Sequence, residues 1–206
     1  MNILNPFNKV LDATKVYFMS DCHFQHRNLC QGTTVWGDTD NCRKFNTTED
    51  MDNTIINAIN HTVPEDCMII NLGDFIFGNK TNIKNFVDKI NCQEQHYLFG
   101  NHDDWMMDKP EVLSLFTSVH HYLQFFLKFP NGEKIRVCCS HYPITSWNDM
   151  NKNSWMIHGH CHQSLHHDNG KIIDVGIDEI NNYKPYSSLE IYQFMKDRDV
   201  RKVDHH

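Results

Sequence analysis

Apolar positions along the first half of the chain alternate between short continuous runs and runs at helical spacing. Residues 15–20, Lys-Val-Tyr-Phe-Met-Ser, are rich in β-branched and aromatic types and predict a buried strand. Residues 24–48 are polar and without period; a stretch this long inside a compact domain is usually functional. Thr47-Thr48-Glu49-Asp50 marks a helix start, and Met51, Ile55 and Ile59 continue it at i, i+4 and i+8. Residues 67–72 predict a second strand, ending in Gly73-Asp74. Ile83, Phe86, Val87 and Ile90 fall at i, i+3, i+4 and i+7 of a second helix, and residues 96–99 predict a third strand, ending in Gly100-Asn101-His102-Asp103. Strand and helix alternate, which predicts an α/β sheet.

The second half is strand-rich. Residues 119–129 and 134–140 read as strands joined by Pro130-Asn131-Gly132-Glu133, and Asn-Gly between two such runs is a hairpin signal. Residues 155–158 and 171–175 predict further strands, and Ser187-Ser188-Leu189-Glu190 is a capping box opening a last helix through about residue 196. Without internal repeats or linker composition, residues 1–206 read as one domain. His205 and His206 read as a tag remnant.

Composition narrows the class. Hydrophobic residues at 40% and charged residues at 22% are ordinary for a soluble globular chain. No apolar run can span a bilayer, and the first residues show no signal peptide. The net charge of −7 includes carboxylates suited to metals, and two dications would offset about four of those charges. No basic stripe supports extended duplex binding, so a small anionic substrate or a strand end fits better. The eight cysteines are scattered without C-x-x-C pairs and read as reduced thiols in a cytosol; Cys138 and Cys139 should face opposite sides of a strand. Abundant Asn, Lys and Ile fit an AT-rich phage or bacterial genome.

Five segments carry the chemistry, each following a predicted strand: Asp21-x-His23, Gly73-Asp74, Gly100-Asn101-His102-Asp103, His141, and Gly159-His160-x-His162. Ligands at the carboxyl ends of strands converge on one crevice in open α/β sheets. Residues two apart in extended chain project to one side, which suits Asp21 with His23 and His160 with His162. The glycines allow tight turns and close backbone approach. A carboxylate can bridge two dications, and imidazoles suit Mn, Fe, Co, Ni or Zn over an all-oxygen magnesium site.

The ordered set resembles the calcineurin-like metallophosphoesterase superfamily over residues 15–187, and within it the small single-domain enzymes of bacteria and phages. The matching text is Asp-Cys-His-Phe-Gln-His-Arg-Asn (21–28), Leu-Gly-Asp-Phe (72–75), Ser-His-Tyr-Pro (140–143) and Asp-Val-Gly-Ile-Asp (174–178). The resemblance implies a four-layer α/β/β/α sandwich of two mixed sheets flanked by helices. It implies one divalent ion, Mn first among the candidates, on Asp21, His23 and His162, and a second on Asn101, His141 and His160. Asp74 would bridge them, and His102 would face the substrate and protonate the leaving oxygen. Two dications about 3.5–4 Å apart can lower the pKa of a shared water from near 16 toward about 7.

Other residues carry two readings each. His26 and Arg43 could contact a substrate phosphate, or serve loop hydrogen bonding and solvation respectively. Asp103 could orient His102 near the substrate or stabilise its turn. Trp36, Trp105 and Trp147 could stack a base or pack a loop onto the core. Asp174 and Asp178 could support ligands or ordinary turns, and His120, His121, His166 and His167 read as surface residues. The function expected is a hydrolase of ester bonds, first a phosphodiesterase on nucleotide-like or small substrates. A phosphomonoesterase, a nuclease and a non-catalytic metal-binding scaffold are the alternatives.

Overall fold

A computed structural model describes residues 9–167 and 170–200, so His205 and His206 lie outside the described residues. Strand β1 (Val10–Asp12) is followed by a 3-10 turn and β2 (Val16–Met19). The long loop after β2 leads to α1 (Thr48–Thr62), which opens as expected: the Thr47 side chain accepts from the Asp50 N–H at 3.1 Å. Its Met51, Ile55 and Ile59 are buried on one face. Next come β3 (Met68–Asn71), α2 (Ile83–Val87), β4 (Glu94–Leu98) and α3 (Pro110–Leu113). Strands β5 (Ser118–His120), β6 (Tyr122–Lys128), β7 (Lys134–Ser140), β8 (Trp155–His158), β9 (Ile172–Asp174) and β10 (Tyr186–Ser187) precede α4 (Ser188–Met195). The predicted capping box is present: Ser187 Oγ accepts from Glu190 N, and Ser187 N donates to the Glu190 carboxylate at 2.8 Å.

The strands form two mixed five-stranded sheets, ordered β10-β2-β3-β4-β5 and β1-β6-β7-β8-β9. In the first, only the β10–β2 pairing is antiparallel; in the second, only β6–β7. Period-2 alternation puts Phe18, Ile70 and Leu98 of the first sheet against Phe125, Val137 and Trp155 of the second in one apolar layer. Phe18 and Phe125 stack with ring centroids 6.3 Å apart. The other face of the first sheet, with Ile69 and Tyr97, is covered by the apolar sides of α1 and α2. On the outer face of the second sheet lie Cys138, Met156 and Ile172, covered by Trp147 and the 3-10 turn Met150–Lys152. The expected four layers are therefore present, the last of them thin. Cys138 and Cys139 do face opposite layers, and all eight cysteines are free thiols. No helix among the described residues is long and apolar enough to cross a membrane.

Residues 119–129 do not form the single strand expected. The chain breaks at His121: β5 joins the first sheet beside β4, and β6 joins the second beside β7. Both parts have strand composition, so local pattern alone cannot separate them. His120 and His167 are not simply surface residues either: His120 Nε2 lies 2.8 Å from Ser118 Oγ, and His167 Nε2 lies 2.7 Å from His158 Nε2.

Candidate metal centre

Strands β2, β3 and β4 run parallel, so the loops after them emerge at one end of the first sheet. Strands β7, β8 and β9 run parallel in the second sheet. The two ends are stitched together where β2 and β9 run out. Ser20 N donates to Val175 O at 3.1 Å, and Ile177 N donates to Ser20 O at 3.0 Å. All seven expected ligand residues and His102 sit on the loops that follow these strands, at this seam.

The side chains converge. Asp21 Oδ1 lies 3.8 Å from His23 Nε2 and 3.9 Å from His162 Nε2. Asp74 Oδ2 lies 3.9 Å from His23 Nε2, 3.5 Å from His141 Nε2 and 4.0 Å from His102 Nε2. Asn101 Oδ1 is 2.9 Å from His141 Nε2 and 2.8 Å from His160 Nδ1. Two overlapping donor groups result, Asp21–His23–His162 and Asp21–Asp74–His141, each with ligand atoms within 4.8 Å of one another. A third group, His158, Cys161 and Asp174, lies close by in sequence; there Asp174 accepts from Gly176 N and Gln163 N.

The backbone is unusual here. Asp21, His23, Asp74, His160 and His162 all have φ between 47° and 70°. The extended geometry expected for Asp21-x-His23 and His160-x-His162 is thus absent; left-handed turns bring these side chains together instead. An L-residue in that region costs roughly 1–2 kcal/mol, and such strain gathers at functional sites. Two glycines permit the close packing. A Cβ on Gly100 would lie 2.1 Å from Asp74 Oδ1, and one on Gly159 would lie 2.0 Å from Ser20 Oγ.

Electrostatics favour a cation. Asp21 is fully buried, and its Oδ1 has no hydrogen-bond partner. Burial pushes its carboxyl up to about 6. An orphaned buried acceptor is costly, and a dication would satisfy it. His141 Nδ1 faces the Leu72 carbonyl at 2.7 Å. A carbonyl can only accept, so Nδ1 carries the proton and, in the neutral ring, the Nε2 lone pair faces Asp74 Oδ2 with no proton between them. Burial holds His23 well below the ordinary imidazole range, as a neutral ligand requires. His162 behaves differently. Burial would lower it, but its 3.0 Å hydrogen bond to Asp178 Oδ2 and the charge of Asp21 raise it. That bond also leaves Nε2 facing Asp21. The mixed carboxylate, amide and imidazole set suits Mn, Fe, Co, Ni or Zn.

The cleft above this cluster has a volume of about 910 Å³ and includes His23, His26, Trp36, Phe77, His102 and His160 in its lining. That is ample for a small-molecule ligand. Three residues expected at the substrate have other partners. Arg43 is 3% exposed; Nη1 donates to Cys22 O, Nη2 to Asp21 O and Ile177 O, and Nε to Asp178 Oδ1. Its guanidinium is committed to protein oxygens, where a phosphate contact was expected. Asp103 is fully buried, and Oδ2 accepts from Asp74 N, Gly100 N and the Tyr97 hydroxyl, so it braces the loops below the cluster and does not reach a substrate. His26 lines the cleft, but Nδ1 accepts from Leu29 N at 3.1 Å and its ring stacks on Phe77. Trp147 is buried over the second sheet and Trp105 packs on the first core. Sequence reasoning missed Tyr97 as a partner of Asp103; its place inside a predicted strand gave no polar signal.

An uncharacterized protein of Methanocaldococcus jannaschii, MJ1445, is 28% identical over 203 residues, covering 94% of this chain and 99% of that one. The crystal structure of AQ665, a protein of unknown function from Aquifex aeolicus, superposes with a TM-score of 0.59 at 21% identity, covering 87% of this chain and 98% of that one. The Pseudomonas putida nuclease MPE aligns with a TM-score of 0.41 at 17% identity, over 73% of this chain and 62% of that one. Residues 14–206 match the family model for calcineurin-like phosphoesterases, far more than half the chain, and the chain belongs to that family.

Proposed function

We propose that the chain is a dinuclear-metal-dependent phosphoester hydrolase acting on small, nucleotide-like phosphodiesters. The observation that carries this is Asp21 Oδ1, a buried carboxylate oxygen without a hydrogen bond, facing the Nε2 atoms of His23 and His162. Asp21, His23 and His162 would hold one cation, Asn101, His141 and His160 the other, with Asp74 between them. Mn is the first candidate, and Fe, Ni, Co and Zn suit the same donors. When bound, such a pair supplies Lewis acidity to the phosphoryl oxygens and an acidified water as the nucleophile. The chain does the rest. Leu72 and Asp178 hold the rings of His141 and His162 in place. His102, half-exposed on the cleft, gives a proton to the leaving oxygen as the P–O bond breaks. Its peptide N–H is anchored on Asp74 Oδ1 at 2.9 Å, which fixes the loop that carries the ring.

The cleft favours a diester. Among the described residues that line it, Arg43 is the one Lys or Arg, and its donors are already taken. A diester brings one negative charge; a monoester near neutral pH brings up to two, since its second pKa is about 6. Beyond the cations themselves, the described lining offers that second charge no free Lys or Arg. Eight free thiols fit a reducing cytosol.

The test compares a nitrophenyl phosphodiester with the monoester after Mn loading. We expect faster diester hydrolysis, abolished by a chelator. Equal or faster monoester turnover would favour a phosphatase, and inactivity on both with metals bound would favour a scaffold. His102→Ala should retain the metals and lower kcat by about 10²-fold or more for poor leaving groups; loss of the metals in that variant would refute the role given to it.

A further inference from the structure

We propose that Trp36 and Phe77 form a base-binding subsite, so that the ester taken by this cleft carries a nucleobase. The proposal rests on the phosphodiesterase reading above and names its substrate class. Trp36 is 47% exposed and Phe77 38% exposed, both on the cleft wall. The other three tryptophans are half-buried or buried. The loop that carries Trp36 is held by polar contacts: Val35 N donates to Asn28 Oδ1 at 3.2 Å, and Trp36 N donates to Thr34 Oγ1 at 3.1 Å. The loop is therefore not pinned by the indole alone, and the part of the ring left exposed is open to another partner.

The rings form a continuous row. Trp36 meets His26 edge-on with centroids 5.8 Å apart, His26 stacks on Phe77 at 3.8 Å, and Phe77 meets His102 at 4.9 Å. The row starts at His102, the side chain given to the leaving oxygen, and ends at the exposed Trp36. An ester held at the cluster would lay its substituent along this aromatic surface. Stacking is open to every base, because each has a π-face. The same wall carries Asp40 and Asn41, whose carboxylate and amide can pair with the polar edges of a base.

The experiment compares thymidine 5′-(methyl phosphate) with the abasic 2-deoxyribose 5-(methyl phosphate), which share a sugar leaving oxygen and differ in the base. Wild-type protein should prefer the nucleoside ester. Trp36→Ala should reduce kcat/KM for it by roughly 5- to 150-fold, the effect of losing one base stack, and leave the abasic ester within about twofold. Phe77→Ala should act in the same direction, and Trp36→Phe should restore most of the loss. Equal losses on both esters, or no wild-type preference, would overturn the proposal. A dinucleotide and a single-stranded oligonucleotide, run alongside, identify which molecule presents the base; in either case the loss in Trp36→Ala must appear. Calorimetric binding of a nucleoside 5′-monophosphate keeps the test independent of turnover. If neither ester is hydrolysed, the catalytic reading fails. The subsite then stands only if wild-type protein binds the nucleotide at least about 5-fold tighter than Trp36→Ala.

Discussion

The two sheets bring unlike donors to their shared seam. The first supplies both carboxylates, Asp21 and Asp74, buried and next to each other. The second supplies three imidazoles, His141, His160 and His162. His23 and Asn101 join from the first sheet. Charge is concentrated on one side, and on that side burial already lifts the Asp21 carboxyl to about 6. Neither sheet carries a full ligand set, so the proposed centre exists only when the sheets are docked. This contrast can be broken at several points.

The largest effect is expected at Asp74. Asp74→Ala should lose both cations in a metal analysis and reduce hydrolysis to background. One tightly held ion in that variant would show that the imidazole side binds a cation by itself. Arg43 comes next, because its guanidinium ties Asp21 and Cys22, after β2, to Ile177 and Asp178, after β9. Removing one partner of a buried ion pair is strongly destabilising, so Arg43→Ala should lower unfolding free energy by about 3 kcal/mol in denaturant titration. A loss well under about 1 kcal/mol would mean that other contacts hold the seam. Asp178→Ala removes the support of His162 and should weaken binding of one cation by about 10-fold or more, measured by chelator competition. Unchanged affinity would leave His162 positioned by its turn alone.

The smallest effect is expected away from the seam. Asp52, on α1, accepts from Gln25 N through both oxygens, at 3.0 and 3.2 Å, and burial pushes its carboxyl up to about 6 from 3.8. The folded state therefore holds this proton more tightly than the unfolded chain does. Its contribution to stability is present below about 4 and is lost as pH rises through about 6. Asp52→Asn should flatten the dependence of Tm on pH across that window and leave cation binding unchanged. A change in metal affinity would mean that the outer layer and the seam are coupled.

Much of the centre was legible because its residues follow strands directly. Runs such as Met-Ile-Ile-Asn before Leu-Gly-Asp locate both the strand and the ligand after it. Of the two readings open for Asp103, adjacency to His102 suggested a partner and the turn-stabilising one holds: the turn folds its carboxylate back onto Gly100 N and Asp74 N. Arg43 was misread because a cation in a polar loop gives no sign of burial; its partners lie more than 130 residues away at Ile177 and Asp178. The switch of sheets at His121 was hidden because strand propensity does not say which neighbour a strand will pair with. Strands β1 and β10 were too short, at three and two residues, to show a period.

The left-handed backbone at Asp21, His23, Asp74, His160 and His162 has a consequence for protein engineering. A redesign that scores each position by backbone preference would replace these residues with glycine or asparagine and gain stability in the metal-free chain. A glycine would remove a donor outright, and an asparagine would exchange a carboxylate or imidazole for a neutral amide oxygen. Other described residues, among them Asp149, Asn153 and Tyr183, share that backbone, so the positions to hold fixed are those where a left-handed residue also points a donor into the cluster.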